Sequence, residues 1–159
     1  MPTYDLISRT TLSSDQATVT FSSITGSYAD LVLICNVGAT TSNSGFTLEF
    51  NGDTGNNYSV TRVYGDGSTA TSDRASNQPH TNIGFTGSAS AGTQIVNLQN
   101  YSNTTTYKTV LGRTSVVGAR VMTTVGLWRS TSAITSVTIG MLAANLPSGS
   151  TFSLFGIAG

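Results

Sequence analysis

Val125 to Gly159 reads VGLWRSTSAITSVTIGMLAANLPSGSTFSLFGIAG, and this stretch decides the fold class. Two runs in it alternate apolar with polar residues, Ile134-Thr135-Ser136-Val137-Thr138-Ile139 and Thr151-Phe152-Ser153-Leu154-Phe155-Gly156-Ile157. A period of two belongs to a half-buried strand, because successive side chains on an extended backbone point to opposite faces. Between the runs stand Asn145, Pro147, Ser148 and Gly149, residue types that turn a chain. The stretch therefore predicts two strands and a turn, with the final residues held inside a sheet.

The same punctuation continues upstream. Leu6-Ile7-Ser8 predicts a short first strand, and Thr18-Val19-Thr20-Phe21 alternates with Val19 and Phe21 on one face. Leu31-Val32-Leu33-Ile34-Cys35-Asn36-Val37 is apolar on both faces, which predicts a covered central strand or one whose outer face meets another subunit. Phe46-Thr47-Leu48-Glu49-Phe50 sends its large apolar side chains inward and Glu49 outward. Tyr58 to Tyr64 reads as its hairpin partner across a wide Asn/Gly/Asp loop, and Gly65 to Gln78, almost without apolar residues, reads as the longest loop. Ile83 to Phe85, Ile95 to Leu98, Tyr107 to Arg113 and Val121 to Trp128 supply further strands. No apolar 3.6-residue period lasts the length of a helix. About nine or ten strands separated by turns predict one all-β domain over residues 1–159, an antiparallel jelly-roll-like β-sandwich.

Composition limits the chemistry. Charged residues make up 9% of the 159, against about 25% in ordinary soluble domains, so the solvent face is built of hydroxyls and amides. Seven basic and seven acidic residues give a formal net charge of 0, which supplies no field to attract nucleic acid or an acidic membrane. Six of the seven bases are arginine, the cation suited to planar contacts at interfaces. A single cysteine, Cys35, excludes an intramolecular disulfide, and its apolar surroundings predict a packed thiol. The N-terminal residues show neither a basic patch nor an apolar run, and no stretch is long and apolar enough to span a bilayer, so a soluble, cytoplasmically made chain is expected.

Candidate chemistry is sparse. His80, the only histidine, follows Pro79 in a polar stretch, and no G-x-S-x-G accompanies it. Asp53, Asp66 and Asp73 each sit among Gly, Asn and Ser, where Asp commonly closes its own backbone rather than working as one of a catalytic pair. Asn51, Asp53 and Asn57 suggest calcium, but the position of the bidentate Glu in an EF-hand loop holds Arg62. No catalytic residue, metal or cofactor is predicted. Tyr58, Tyr64, Tyr101 and Tyr107 bracket polar loops and suit either packing or stacking on a sugar. Trp128 reads as an anchor at the rim of the core or as an interface hot spot.

The segments LISRTTLSSDQATVTFSSITGSYADLVL, FNGDTGNNYSVTRVYGDGS, NYSNTTTYKTVLGRTS, VGLWRSTSAITSVTI and LPSGSTFSLFGIAG together resemble a group of small bacteriophage virion proteins, frequent among phages of cyanobacteria and other aquatic bacteria. The resemblance implies a non-enzymatic β-sandwich component of the virion, similar to head decoration (cement) proteins or to modules of tails and fibres. The chain has no repetitive shaft or coiled-coil stalk, which favours decoration. On that reading the partners are the chain itself, as a homotrimer, and the major capsid protein, and the location is the capsid surface. Trp128 and Arg129, with Arg113 and Arg120 as polar partners, are the expected contact residues, picked by residue type. The alternative is a receptor- or carbohydrate-binding module at a fibre tip, with the Tyr- and Asn-rich loops as a glycan site.

Overall fold

The computed structural model describes residues 3–118 and 120–159. Twelve strands follow in order: β1 (Tyr4–Thr11), β2 (Thr18–Phe21), β3 (Asp30–Val37), β4 (Ser44–Phe50), β5 (Tyr58–Gly65), β6 (Ala70–Gln78), β7 (Thr81–Thr86), β8 (Gly92–Gln99), β9 (Lys108–Val116), β10 (Arg120–Trp128), β11 (Val137–Met141) and β12 (Thr151–Ile157). They form two sheets, one of eight strands in the order β1-β12-β3-β8-β9-β10-β5-β6 and one of four in the order β2-β11-β4-β7. Every pairing is antiparallel. The domain is a jelly-roll-like β-sandwich.

Alternation decides what each strand contributes to the space between the sheets. In β4, Phe46, Leu48 and Phe50 are fully buried and face Leu31, Leu33 and Cys35 of the large sheet in one core cluster. β3 holds a central place between β12 and β8, its inner residues in that core and its outer Val32 only 3% exposed. Glycines bring the sheets together where β7 crosses β9 and β10. A Cβ on Gly112 would lie 2.7 Å from the Ile83 carbonyl oxygen, and one on Gly126 would lie 2.4 Å from Thr81 Oγ1. No other residue leaves that room.

Three expectations are corrected. Tyr58 to Tyr64 is a strand, but it does not pair with β4: the chain crosses the sandwich after Asn51-Gly52, and β5 lies between β10 and β6 in the other sheet. Alternation reports burial of one face and is silent on the partner. Gly65 to Gln78 is not a loop throughout, since Ala70–Gln78 forms the edge strand β6. An edge strand with both faces open needs only backbone hydrogen bonds to one neighbour, so Ser, Thr, Asp and Arg suffice. The strand expected from Ile134 begins only at Val137, because Asn51 Oδ1 accepts from the Thr135 and Ser136 amides (2.8 and 3.1 Å) and holds those residues as a connection.

Candidate functional site

The solvent-facing side of the eight-stranded sheet carries a row of residues that pair directly from strand to strand. It runs Arg9, Ser153, Ile34, Ile95, Arg113, Thr123, Val63 and Ser72. Directly paired residues project to the same face. Arg9 Nε donating to Ser153 Oγ at 2.9 Å lies along this row. A parallel row passes through Leu6, Phe155, Val32, Asn97, Leu111, Val125, Thr61 and Arg74. Valines on this face are well exposed, Val63 at 56%, Val121 at 62% and Val125 at 49%, in a domain whose other apolar residues are mostly sealed inside.

Four hollows mark the face; one, at Asn36, Thr93, Ser115 and Val117, has no arginine, and the other three hold one each. Arg74 lines the first with Thr61, Val125 and Leu127. Arg113 lines the second with Val63, Val121 and Thr123. Arg9 lines the third with Ile34, Asn36, Ser153 and Phe155. The other four bases are committed within the fold. Arg62 makes the one ion pair among the described residues, to Asp73 through Nε and Nη2 at 2.6 and 3.0 Å. Lys108 is buried and donates to the Thr106 and Thr131 carbonyl oxygens, burial pulling its ammonium below the usual lysine range. Arg120 stacks 4.1 Å from the Phe85 ring centre and 4.9 Å from that of Tyr64, and Arg129 donates to Asn56 O and Asn77 Oδ1.

Of the four contact residues expected from the sequence, Arg113 alone stands free on this face. Trp128 is corrected: it is 2% exposed, packed 5.5 Å from the Phe50 ring, with its indole N–H donated to Asp53 Oδ2 at 2.7 Å. The ring closes the rim of the core and has no surface left to offer a partner. Arg129 ties the β4–β5 loop to the end of β6, and Arg120 caps the cleft between the sheets beside Arg62, Asp73 and Asn82. Arg9 and Arg74 escaped the sequence reading because one lies beyond the short strand read at Leu6 to Ser8 and the other inside a stretch read as loop.

The remaining candidates have structural work. Tyr58 and Tyr101 are fully buried, so neither offers a ring to a sugar. The Tyr58 hydroxyl donates to Asp53 O at 3.0 Å, and that of Tyr101 donates to Thr25 O. Tyr64 lies beneath Arg120, and Tyr107 is 53% exposed. The Asp53 carboxylate is held below the usual range by the Trp128 indole, with Asn57 and the Gly55 amide as further donors. Asp66 closes its own turn by accepting from the Ser68 and Thr69 amides, which lower its pKa. Burial lowers the pKa of His80. The three aspartates thus occupy separate turns and an edge ion pair.

No protein-family model matches the chain, and no curated protein matches it. Solved structures similar to it include an alginate lyase in complex with alginate tetrasaccharide, at 8% identity and TM-score 0.40 over 94% of this chain and 77% of that one. Porphyranase B from Zobellia galactanivorans aligns at 9% identity and TM-score 0.33, over 96% of this chain and 75% of that one. A tetrameric galectin from the ball sponge Cinachyrella sp. aligns at 10% and 0.30, over 88% and 99%.

Proposed function

We propose that the protein is a non-enzymatic structural component of a bacteriophage virion, a capsid decoration protein that works as a homotrimer and lays the outer face of its large sheet on the major capsid protein shell. The observation that carries this reading is the broad hydroxyl-and-valine face with Val63, Val121 and Val125 exposed together. Contiguous exposed apolar surface marks a contact site, since a free domain loses nothing by placing polar residues there. A sheet face is also broad and rigid, which suits repeated attachment to a lattice. Attachment of a trimer at three points multiplies a weak contact through its effective concentration.

The test is to add the purified protein to heads lacking it and to locate the bound density by cryo-electron microscopy. Regular occupancy over the shell, with the large sheet facing inward and greater resistance of the heads to heat, is the expected result. Density confined to the tail or to fibre tips would overturn decoration and make the protein an adhesion module. A glycan array would then be the next measurement.

A further inference from the structure

We infer that the outer face of the eight-stranded sheet docks on an acidic protein surface, its three arginines without an ion pair, Arg9, Arg113 and Arg74, meeting carboxylates spaced across that face. This rests on the docking reading above and adds the chemistry of the partner.

The argument starts from charge. The chain is neutral as a whole, yet its charges are not evenly distributed. Arg9, Arg74 and Arg113 are exposed on one face and take no part in the single ion pair among the described residues. The carboxylates lie elsewhere: Asp53 and Asp66 in turns, Asp73 against Arg62, Glu49 on the small sheet, and Asp15 accepting from the Ser148 amide. Asp5, exposed on β1, pairs with Gly156 and so falls on the alternation opposite to Leu6 and Phe155. Asp30, at the margin of the large sheet, accepts from the Asn100 amide at 2.7 Å. A neutral protein with one cationic face has a dipole that orients it toward a negative surface.

Spacing gives the partner its pattern. Adjacent strands are about 4.8 Å apart, so the four strand steps from Arg9 to Arg113 span about 19 Å. Arg74, three strands farther and two residues along, lies about 16 Å beyond Arg113 by the same spacing. The partner thus presents carboxylates at three positions across roughly 35 Å, a width suited to a folded protein surface.

Two other occupants fit less well. A second copy docked face to face would set arginine against arginine with no carboxylate between them. An acidic polysaccharide would be expected to find stacking rings at all three arginines, but aromatic rings lie only near Arg9, at Phe155 and Tyr4, and the outward positions of β9, β10 and β5 around Arg113 and Arg74 are Thr, Leu, Ser, Val, Arg and Gly. Exposed valines interleaved with arginines match a protein interface.

The test measures co-sedimentation of the protein with heads lacking it over a salt series, beside binding to soluble poly-glutamate and to a soluble polyuronate. Variants are Arg9→Gln, Arg74→Gln, Arg113→Gln and the triple, each checked for an unchanged unfolding midpoint. A further variant, Thr123→Glu, places a carboxylate beside Arg113 without removing an arginine. Each single change is expected to weaken head binding about two- to fivefold at low salt, as for exposed ion pairs, and the triple about tenfold or more. The loss should shrink as salt rises, and Thr123→Glu should reproduce it. Head binding that is indifferent to all five variants overturns the inference while decoration stands. Poly-glutamate bound through the three arginines without head binding keeps the inference and overturns decoration. Binding to neither overturns both, and preference for the polyuronate overturns the assignment to a protein partner.

Discussion

Trp128, at the end of β10, donates its indole N–H to the carboxylate of Asp53, 75 residues earlier in the loop between β4 and β5, at 2.7 Å. The same carboxylate binds Asn57 and the Gly55 amide, and Tyr58 donates to the Asp53 carbonyl, so one turn anchors the aromatic cluster of Phe50, Tyr58 and Trp128. Asp53→Ala would leave the nearly buried indole N–H without its partner. A hydrogen bond to a charged group contributes about 1.5–3 kcal/mol, and urea unfolding followed by tryptophan fluorescence should record a loss of that order. The variant should also shift the native emission.

The bond carries a pH dependence whose sign follows from the lowered carboxylate pKa. A group with a folded-state pKa below its unfolded value adds stability above the unfolded value and loses it as pH falls through the folded one. The unaltered protein should therefore lose stability from about pH 4 downward, near the unfolded carboxylate pKa. Asp53→Ala should show a shallower fall over that range. Equal slopes for the two proteins would show that the Asp53 carboxylate is not what the acid limb reports.

Sheet separation sets a second prediction. Gly126→Ala puts a methyl 2.4 Å from Thr81 Oγ1, and Thr81 is buried with that oxygen unpartnered. Overpacking of this kind costs about 1–3 kcal/mol. Adding Thr81→Ala removes the colliding hydroxyl, leaving the residue-81 Cβ at 3.3 Å and Val110 Cβ at 3.4 Å as the nearest neighbours, so the double variant should recover most of the loss. Gly112→Ala should have no such rescue, because the atom in its way is the Ile83 backbone oxygen. Unfolding midpoints of the three variants decide the point.

What could be read from the residues alone follows this physics. Phe46, Leu48 and Phe50 were legible as an inward set because a strand buried on one face must alternate. The β5 partner was not legible, since Val60 would be inward in either sheet. The strand β6 was hidden because an edge strand asks nothing apolar of Ser72 or Arg74. Trp128 could be read as large and important but not as internal, for its partner Asp53 comes into reach only once β5 has crossed the sandwich. The alignment of Arg9 with Arg113 depends on β12, β3 and β8 lying between them in space, an order that no local pattern encodes.

The valines of the outer face should be separable from stability. Val63 and Val125 are about half exposed, so Val63→Ser with Val125→Ser should change the unfolding free energy by no more than about 0.5 kcal/mol, as is usual for surface changes. Occupancy on heads lacking the protein should nevertheless fall severalfold. Unfolding by a large margin in the double variant would mean that these side chains support the sheet itself and are not held out for a partner.

Cys35 gives a probe of how tightly the sandwich is closed. The thiol is fully buried in β3, and burial pushes its pKa far above the usual cysteine range, so almost no reactive thiolate exists in the folded chain. An aromatic disulfide reagent should modify it only through unfolding, at a rate that rises with urea in step with the unfolded fraction. Reaction at the speed of a free thiol in native buffer would mean that β3 opens without the rest of the sheet. Cys35→Ser should destabilise by about 1–3 kcal/mol, since it puts a hydroxyl into the buried core, where its cross-strand neighbours are Phe152 and Gln94. Cys35→Ala, which removes the sulfur and adds no polar atom, should cost less, and the difference between the two isolates the polar contribution.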